Sequence, residues 1–447
     1  MIAAAALVLA AQAGQVSVGT GGDYNSITQA LDAARDGDTV LVHAGVYREH
    51  PVIDKRIVLT GEPGATIDGG GQGVVLTVRA TCTISGFTIR GSGSRQSEEH
   101  SGILAERADS LVIEDNHFED VLFGIYVKQS NSPIIRNNTI EGKDIPVPLR
   151  GDGIRLWYSH GGLIVGNRIT RSRDVVIWFS DETNVLQNRV TNSRYGLHYM
   201  YSDHNRFEDN EFVANLVGAF VMYSTDITFK NNVFADARGT AGRGLGFKDT
   251  DSVIAEGNIM VRNATGISLD NSPQTRGVSN LFRHNIIAFN DVGVSLLPSV
   301  KSNVFHFNTF LENVVPVAVT GGGTALGNSW HGNHWSDYAG FDANDDGFGD
   351  TPFVHERLSD DLFAKHEQLK IFNMGPAASS IDIVGRVLPL LQPTPVVIDS
   401  APRLAVGTPV SAARRRTLPV AAVGFACFAL AAATLAFQSR TPFGSGL

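Results

Sequence analysis

Three side chains with soft donor atoms stand close together in the sequence: His198, Met200 and Met222. Imidazole nitrogen and thioether sulfur are neutral donors that suit Cu(I) better than hard cations. His198 and Met200 are two residues apart, so on a β-strand they share a face. Met222 comes alongside only if the chain returns on itself with a period near 22 residues. A second run with ligand chemistry is Asp342, Asn344 and Asp346, then Gly347 and Asp350. Oxygen donors at alternate positions followed by glycine match the first half of a calcium loop, although Phe353 stands where the bidentate glutamate belongs. His331 and His334 are nearby, but Trp330 and Trp335 beside them read as packing.

The sequence supplies the required period. From about residue 102 to 310 a glycine, or a stand-in, opens an apolar stretch, and an asparagine follows 14 positions later. Gly124/Asn138, Gly153/Asn167, Asp174/Asn188, Gly196/Asn210 and Gly218/Asn232 are examples. Strand-like units repeating every twenty-odd residues define a solenoid. One and three places after the glycine the residues are apolar, as in Leu197 and Tyr199 or Ala219 and Val221, the alternation of a half-buried strand. A second strand is read around each asparagine, with Phe207 three residues before Asn210 and Phe212 two after it facing inward. The asparagine itself is read as a turn residue that stacks on its equals in an amide ladder. The expected fold is all-β, a right-handed parallel β-helix with coils about 4.8 Å apart. Its N-terminal cap is a helix opened by Ser26 and Gln29 in a capping-box pattern. At the other end Ser359 is read as the cap of a covering helix.

Positions two and four after each glycine face solvent and should be polar. Instead they hold Tyr126, Arg155 and Trp157, Trp178, His198 and Met200, then Phe220 and Met222. Tyr158, Phe179, Tyr201 and Tyr223 follow at position five. An apolar patch of this extent marks a partner or ligand surface, unless the loop at 143–150 or a C-terminal tail packs on it. The outward row carries no acid, which disfavours a polysaccharide lyase or epimerase built on this scaffold. Asp181, Asp203 and Asp226 on an adjacent turn, with tryptophans able to stack sugars, keep that alternative open.

The chain carries a net charge of −9, which argues against nucleic acid as a partner. Its two cysteines, Cys82 and Cys427, form no disulfide framework. Residues 2–11 are apolar and end in Ala11-Gln12-Ala13, read as a secretory leader cut after Ala13. The β-helix domain is expected over 14–375, a Pro-rich tail over 376–417, and a membrane-spanning helix over 418–437 that would anchor the chain to the inner membrane. Arg414–Arg416 oppose the export topology under the positive-inside rule.

Asn333-His334-Trp335-Ser336-Asp337-Tyr338, with Gly340, Asp342, Asn344, Asp346-Gly347 and Gly349-Asp350-Thr351-Pro352, resembles the C-terminal signature of the NosD family. Gly-Asp-Gly-Ile-Arg-Leu-Trp at 151–157 and Tyr-Gly-Leu-His-Tyr-Met-Tyr-Ser at 195–202 resemble its coils, and the likeness spans about 15–375. That resemblance implies a periplasmic, non-enzymatic protein that helps mature nitrous-oxide reductase. It implies work with an ABC-type permease and ATPase, copper delivery from a copper chaperone, and docking of the apo-enzyme. The ligand set His198, Met200 and Met222 rests on residue chemistry alone.

Overall fold

The computed structural model describes residues 14–372, 375–388 and 393–406. Short strands stack into three parallel sheets of 14, 12 and 13 strands, each coil contributing one strand to each sheet through most of the stack. The winding is right-handed. Apolar alternation dictates this arrangement, because each strand buries one row and no coil can cover that row alone. Leu197, Tyr199, Phe207 and Phe212 of one coil are all buried, as are Ala219, Val221, Phe229 and Phe234 of the next. The rings stack coil on coil, with Phe207 and Phe229 centroids 4.7 Å apart.

Each asparagine is a corner rather than the middle of a strand. Arg206–Glu208 and Glu211–Val213 flank Asn210 and belong to different sheets. The single strand expected there is therefore two. Asn210 Nδ2 donates to Val185 O at 2.8 Å and to Asn232 Oδ1 at 2.9 Å. Asn210 Oδ1 accepts from Asn188 N and Nδ2. The same pattern runs from Asn116 to Asn333. It satisfies the polar groups that each buried corner would otherwise orphan.

The N-terminal helix spans Ile27–Ala33, and Ser26 Oγ accepts from Gln29 N. Much of the capping comes from elsewhere: Glu49 accepts from Ile27 N, Thr28 N and the Ser26 and Thr28 hydroxyls. Burial raises the Glu49 pKa, but these bonds, led by Thr28, outweigh it and hold the carboxyl below its ordinary value. A depressed pKa contributes stability above the unfolded-state pKa that is lost as pH falls through the folded one. Glu49→Ala is expected to cost about 1–2 kcal/mol at neutral pH, and less at pH 3, measured by denaturant melts.

At the far end Ser359 lies inside the helix Leu358–Lys365 and caps nothing with its hydroxyl. Its amide instead donates to Asp382 Oδ1. Asp382 belongs to a helix over Pro376–Val387, inside the stretch expected as an extended tail. Pro376 is tolerated because it opens the helix, where its missing N–H is no loss. Val397–Asp399 then pairs antiparallel with Phe353–His355, and buried Asp399 accepts from Asn333 N, Asn333 Nδ2 and Trp335 Nε1. The expected leader at 1–13 and the expected membrane-spanning stretch 418–437 lie outside the described residues. Among the described residues no helix is long and apolar enough to cross a membrane.

Candidate functional site

The central outward rows belong to the strands Phe123–Lys128, Ile154–Trp157, Asp174–Trp178, Tyr195–Met200 and Val217–Met222. Their register aligns Tyr126, Arg155, Val176, His198 and Phe220 in one row, and Lys128, Trp157, Trp178, Met200 and Met222 in the next. Met200 and Met222 are direct cross-strand partners. The eight residues read from the sequence as a partner or ligand face therefore lie in two adjacent rows.

Aromatic contacts join them. The Arg155 guanidinium lies 4.8 Å from the Tyr126 ring, 5.3 Å from Trp157 and 5.0 Å from Trp178. Trp178 meets His198 edge-on at 5.0 Å, and Tyr195 stacks on it at 4.9 Å. Tyr126 is 2 % exposed, so it is a floor of the patch rather than a contact surface. Trp178 Nε1 and Arg155 Nε are buried donors with no acceptor.

Residues outside those rows set the imidazole. Asp174 is fully buried, and its Oδ2 lies 3.1 Å from His198 Nδ1. Arg194 Nε donates to Asp174 Oδ1 at 2.9 Å, and Arg194 Nη2 donates to Oδ2. Burial opposes ionisation of Asp174, but bonds from His198 and Arg194 win and hold it below the usual carboxylate range. An ionised carboxylate only accepts, so the His198 nitrogen that faces it, Nδ1, carries a proton. Neighbouring Asp152, also fully buried and facing Arg173 and Arg155, is pushed the other way, chiefly by burial.

Asp174 stands where most coils have glycine. A Cβ on Gly124 or Gly196 would meet the next coil's carbonyl at 2.3 or 2.4 Å. At Asp174 the register slips: it pairs with Tyr195, whereas Val176 pairs with His198. Such a bulge re-aims a side chain, here toward the next coil. The signal was present in the sequence, since an acid replaced the recurring glycine, but it reads there as a stand-in.

Tyr158, Phe179, Tyr201 and Tyr223 form a continuous stack with centroids 4.6, 5.2 and 4.9 Å apart. Each has φ near +50°, a costly conformation for a bulky residue. The three tyrosines are exposed. Beside this stack, Asp181 accepts from Asp203 N and Asp203 from Thr225 N, so both acids have structural roles. The loop at 143–150 is tied to Gln96 and Asn192, and residues 396–403 bond to the last coils.

The calcium-like run folds as a set of Asx turns. Asp342 accepts from Asp346 N and Gly347 N, Asn344 from Asp346 N, Asp346 from Phe348 N, and Asp350 from Ala343 N. Among the described residues no group of three His, Cys, Asp or Glu is arranged to hold a metal. Cys82 is buried and its thiol is pushed up to about 12 by burial, which makes it inert rather than a thiolate ligand.

Residues 136–340 match the family described as "Periplasmic copper-binding protein (NosD)", and residues 72–189 match "Right handed beta helix region". A "Probable ABC transporter binding protein NosD" of Pseudomonas aeruginosa is 29% identical over 409 residues, covering 83% of this chain and 89% of that protein. Its namesake from Stutzerimonas stutzeri is 27% identical over 82% of this chain and 86% of its own length. Among solved structures, the Streptococcus pneumoniae surface protein and adhesin PfbA aligns with TM-score 0.49 at 13% identity, over 65% of this chain and 94% of that one. The coils at 151–157 and 195–202 and the repeat itself thus agree with the comparisons: residues 136–340 carry the NosD family's domain, and the chain is similar to NosD proteins over most of its length.

Proposed function

We propose that this protein is a periplasmic accessory factor that receives Cu(I) on the His198–Met200–Met222 face and passes it to apo nitrous-oxide reductase. The observation that carries the reading is the soft donor set itself. The His198 imidazole, its Nδ1 held by Asp174, shares a strand with Met200, and Met222 lies directly across from Met200. Two thioethers and one imidazole suit Cu(I) as cargo and leave a coordination position for an incoming ligand. Transfer is then ligand exchange without change of oxidation state. Trp178 and Tyr195 both pack against the imidazole ring, and the exposed tyrosine stack offers an apolar, hydroxyl-edged surface for the apo-enzyme.

The relatives' names support a partnership with an ABC-type permease and its ATPase. A copper chaperone is the expected donor, and the stretch 418–437 the expected inner-membrane anchor. Competition with a chromogenic Cu(I) chelator tests the site. His198→Ala, and Met200→Ala with Met222→Ala, are each expected to weaken Cu(I) binding at least tenfold, about 1.4 kcal/mol. Equal affinity in all three proteins removes this ligand set while leaving a docking role intact.

A further inference from the structure

We propose that His306 and His331 form a second metal site, for a borderline divalent cation of the Cu2+ or Zn2+ kind. It lies on the 14-stranded sheet, whereas the His198 face belongs to the 12-stranded one. The strands Asn303–His306 and Ser329–His331 are adjacent and parallel, and His306 is the register partner of His331. Their inward neighbours Phe305 and Trp330 stack at 4.2 Å with rings nearly parallel, which fixes the two backbones relative to each other.

The imidazole centroids are 5.6 Å apart and inclined at 68°. With metal–nitrogen bonds of about 2 Å, two imidazoles on one tetrahedral or trigonal ion place their ring centres roughly 5–6 Å apart. Ser329 Oγ lies 2.9 Å from His306 Nε2, which puts a hydroxyl oxygen on the same outward face as both rings. Phe307 and Phe348 border the pair.

The donor set decides the ion. Imidazoles with an oxygen and no sulfur favour Cu2+ or Zn2+ over Cu(I). Two imidazoles and one hydroxyl leave positions for water or for a partner's ligand, the mark of an exchangeable site rather than a structural one. The two faces would thus separate copper by oxidation state, sulfur-rich for Cu(I) and nitrogen-rich for Cu2+.

The test uses tag-free full-length protein, with Zn2+ titrated calorimetrically and Cu2+ followed by electron paramagnetic resonance. His306→Gln and His331→Gln are each expected to weaken Zn2+ binding at least tenfold. The double variant is expected to lose one equivalent and the two-imidazole nitrogen coupling. Cu(I) competition should be unchanged in that variant, and Zn2+ binding unchanged in His198→Ala, so either site can fail alone. Equal Zn2+ binding by wild type and double variant overturns the proposal. Should a glutamine variant unfold, wild-type protein decides: Zn2+ must protect both histidines from diethyl pyrocarbonate, and full modification in its presence is the negative result.

Discussion

Asp174→Ala is expected to destabilise the fold by about 3 kcal/mol or more at pH 7, and to weaken Cu(I) binding as well. The carboxylate is fully buried and answers Arg194, His198 and the Tyr195 amide. Removing it strands those donors, and unpaired buried charge is the expensive outcome. Asp174→Asn keeps the shape and an acceptor but loses the charge, so Nδ1 is no longer held as the protonated nitrogen so firmly. Loss of such an outer partner typically costs 10–100-fold in metal affinity. Because its folded pKa is depressed, the contribution of Asp174 is present above the unfolded carboxylate value near 4 and fades as pH falls through the folded pKa. Asp152 has the opposite sign. Its pKa is raised, so ionisation costs the fold stability as pH climbs from the unfolded value through the folded one. Asp152→Asn should therefore be far milder than Asp174→Asn at pH 7. Denaturant melts between pH 4 and 8, with Cu(I) competition on the same proteins, check both arms. Comparable losses in the two variants would contradict this division of roles.

Asn210→Leu should lower stability by about 4 kcal/mol, or roughly 5 °C in melting temperature for a domain of this size. The side chain is fully buried and makes both donor and acceptor bonds. Leucine leaves Val185 O without that donor and Asn188 N without that acceptor. Each abandoned buried polar group costs about 1–3 kcal/mol. Stability in a solenoid is a sum over neighbouring repeats. Amide exchange should therefore accelerate first in the strands Arg189–Thr191, Arg206–Glu208 and Glu211–Val213, before distant coils respond. Uniform acceleration along the chain would indicate one indivisible unit instead.

Row geometry was readable because offset arithmetic survives stacking. The positions one and three after Gly196 are buried, and those two and four after it share rows with the next coil. The third sheet was hidden by reading a single strand around each asparagine turn. Phe207 and Phe212 are five residues apart, an odd number, so they cannot both face inward on one straight strand. The bend at Asn210 resolves the parity. The charged group around His198 was less legible, since Asp174, Arg194 and Asp152 come from three coils and meet only through a register slip. Val397–Asp399 escaped notice because three residues near Pro393 and Pro395 carry no periodic signal. Their strand identity comes from Phe353–His355, more than forty positions upstream.

The amide ladder has a direction: each Asn oxygen accepts from the coil before, and each Asn amide donates to the coil after. Such a series is chemically a growing polymer, and its last unit always presents donors able to recruit another copy. Asp399 answers Asn333 with a carboxylate that accepts but cannot donate onward. It acts as a chain terminator. Because it lies so late in the sequence, the stack is sealed only after nearly all of the described residues have been synthesised. Until then the open end is a template for end-to-end association, and a truncation before residue 397 should leave that end permanently live.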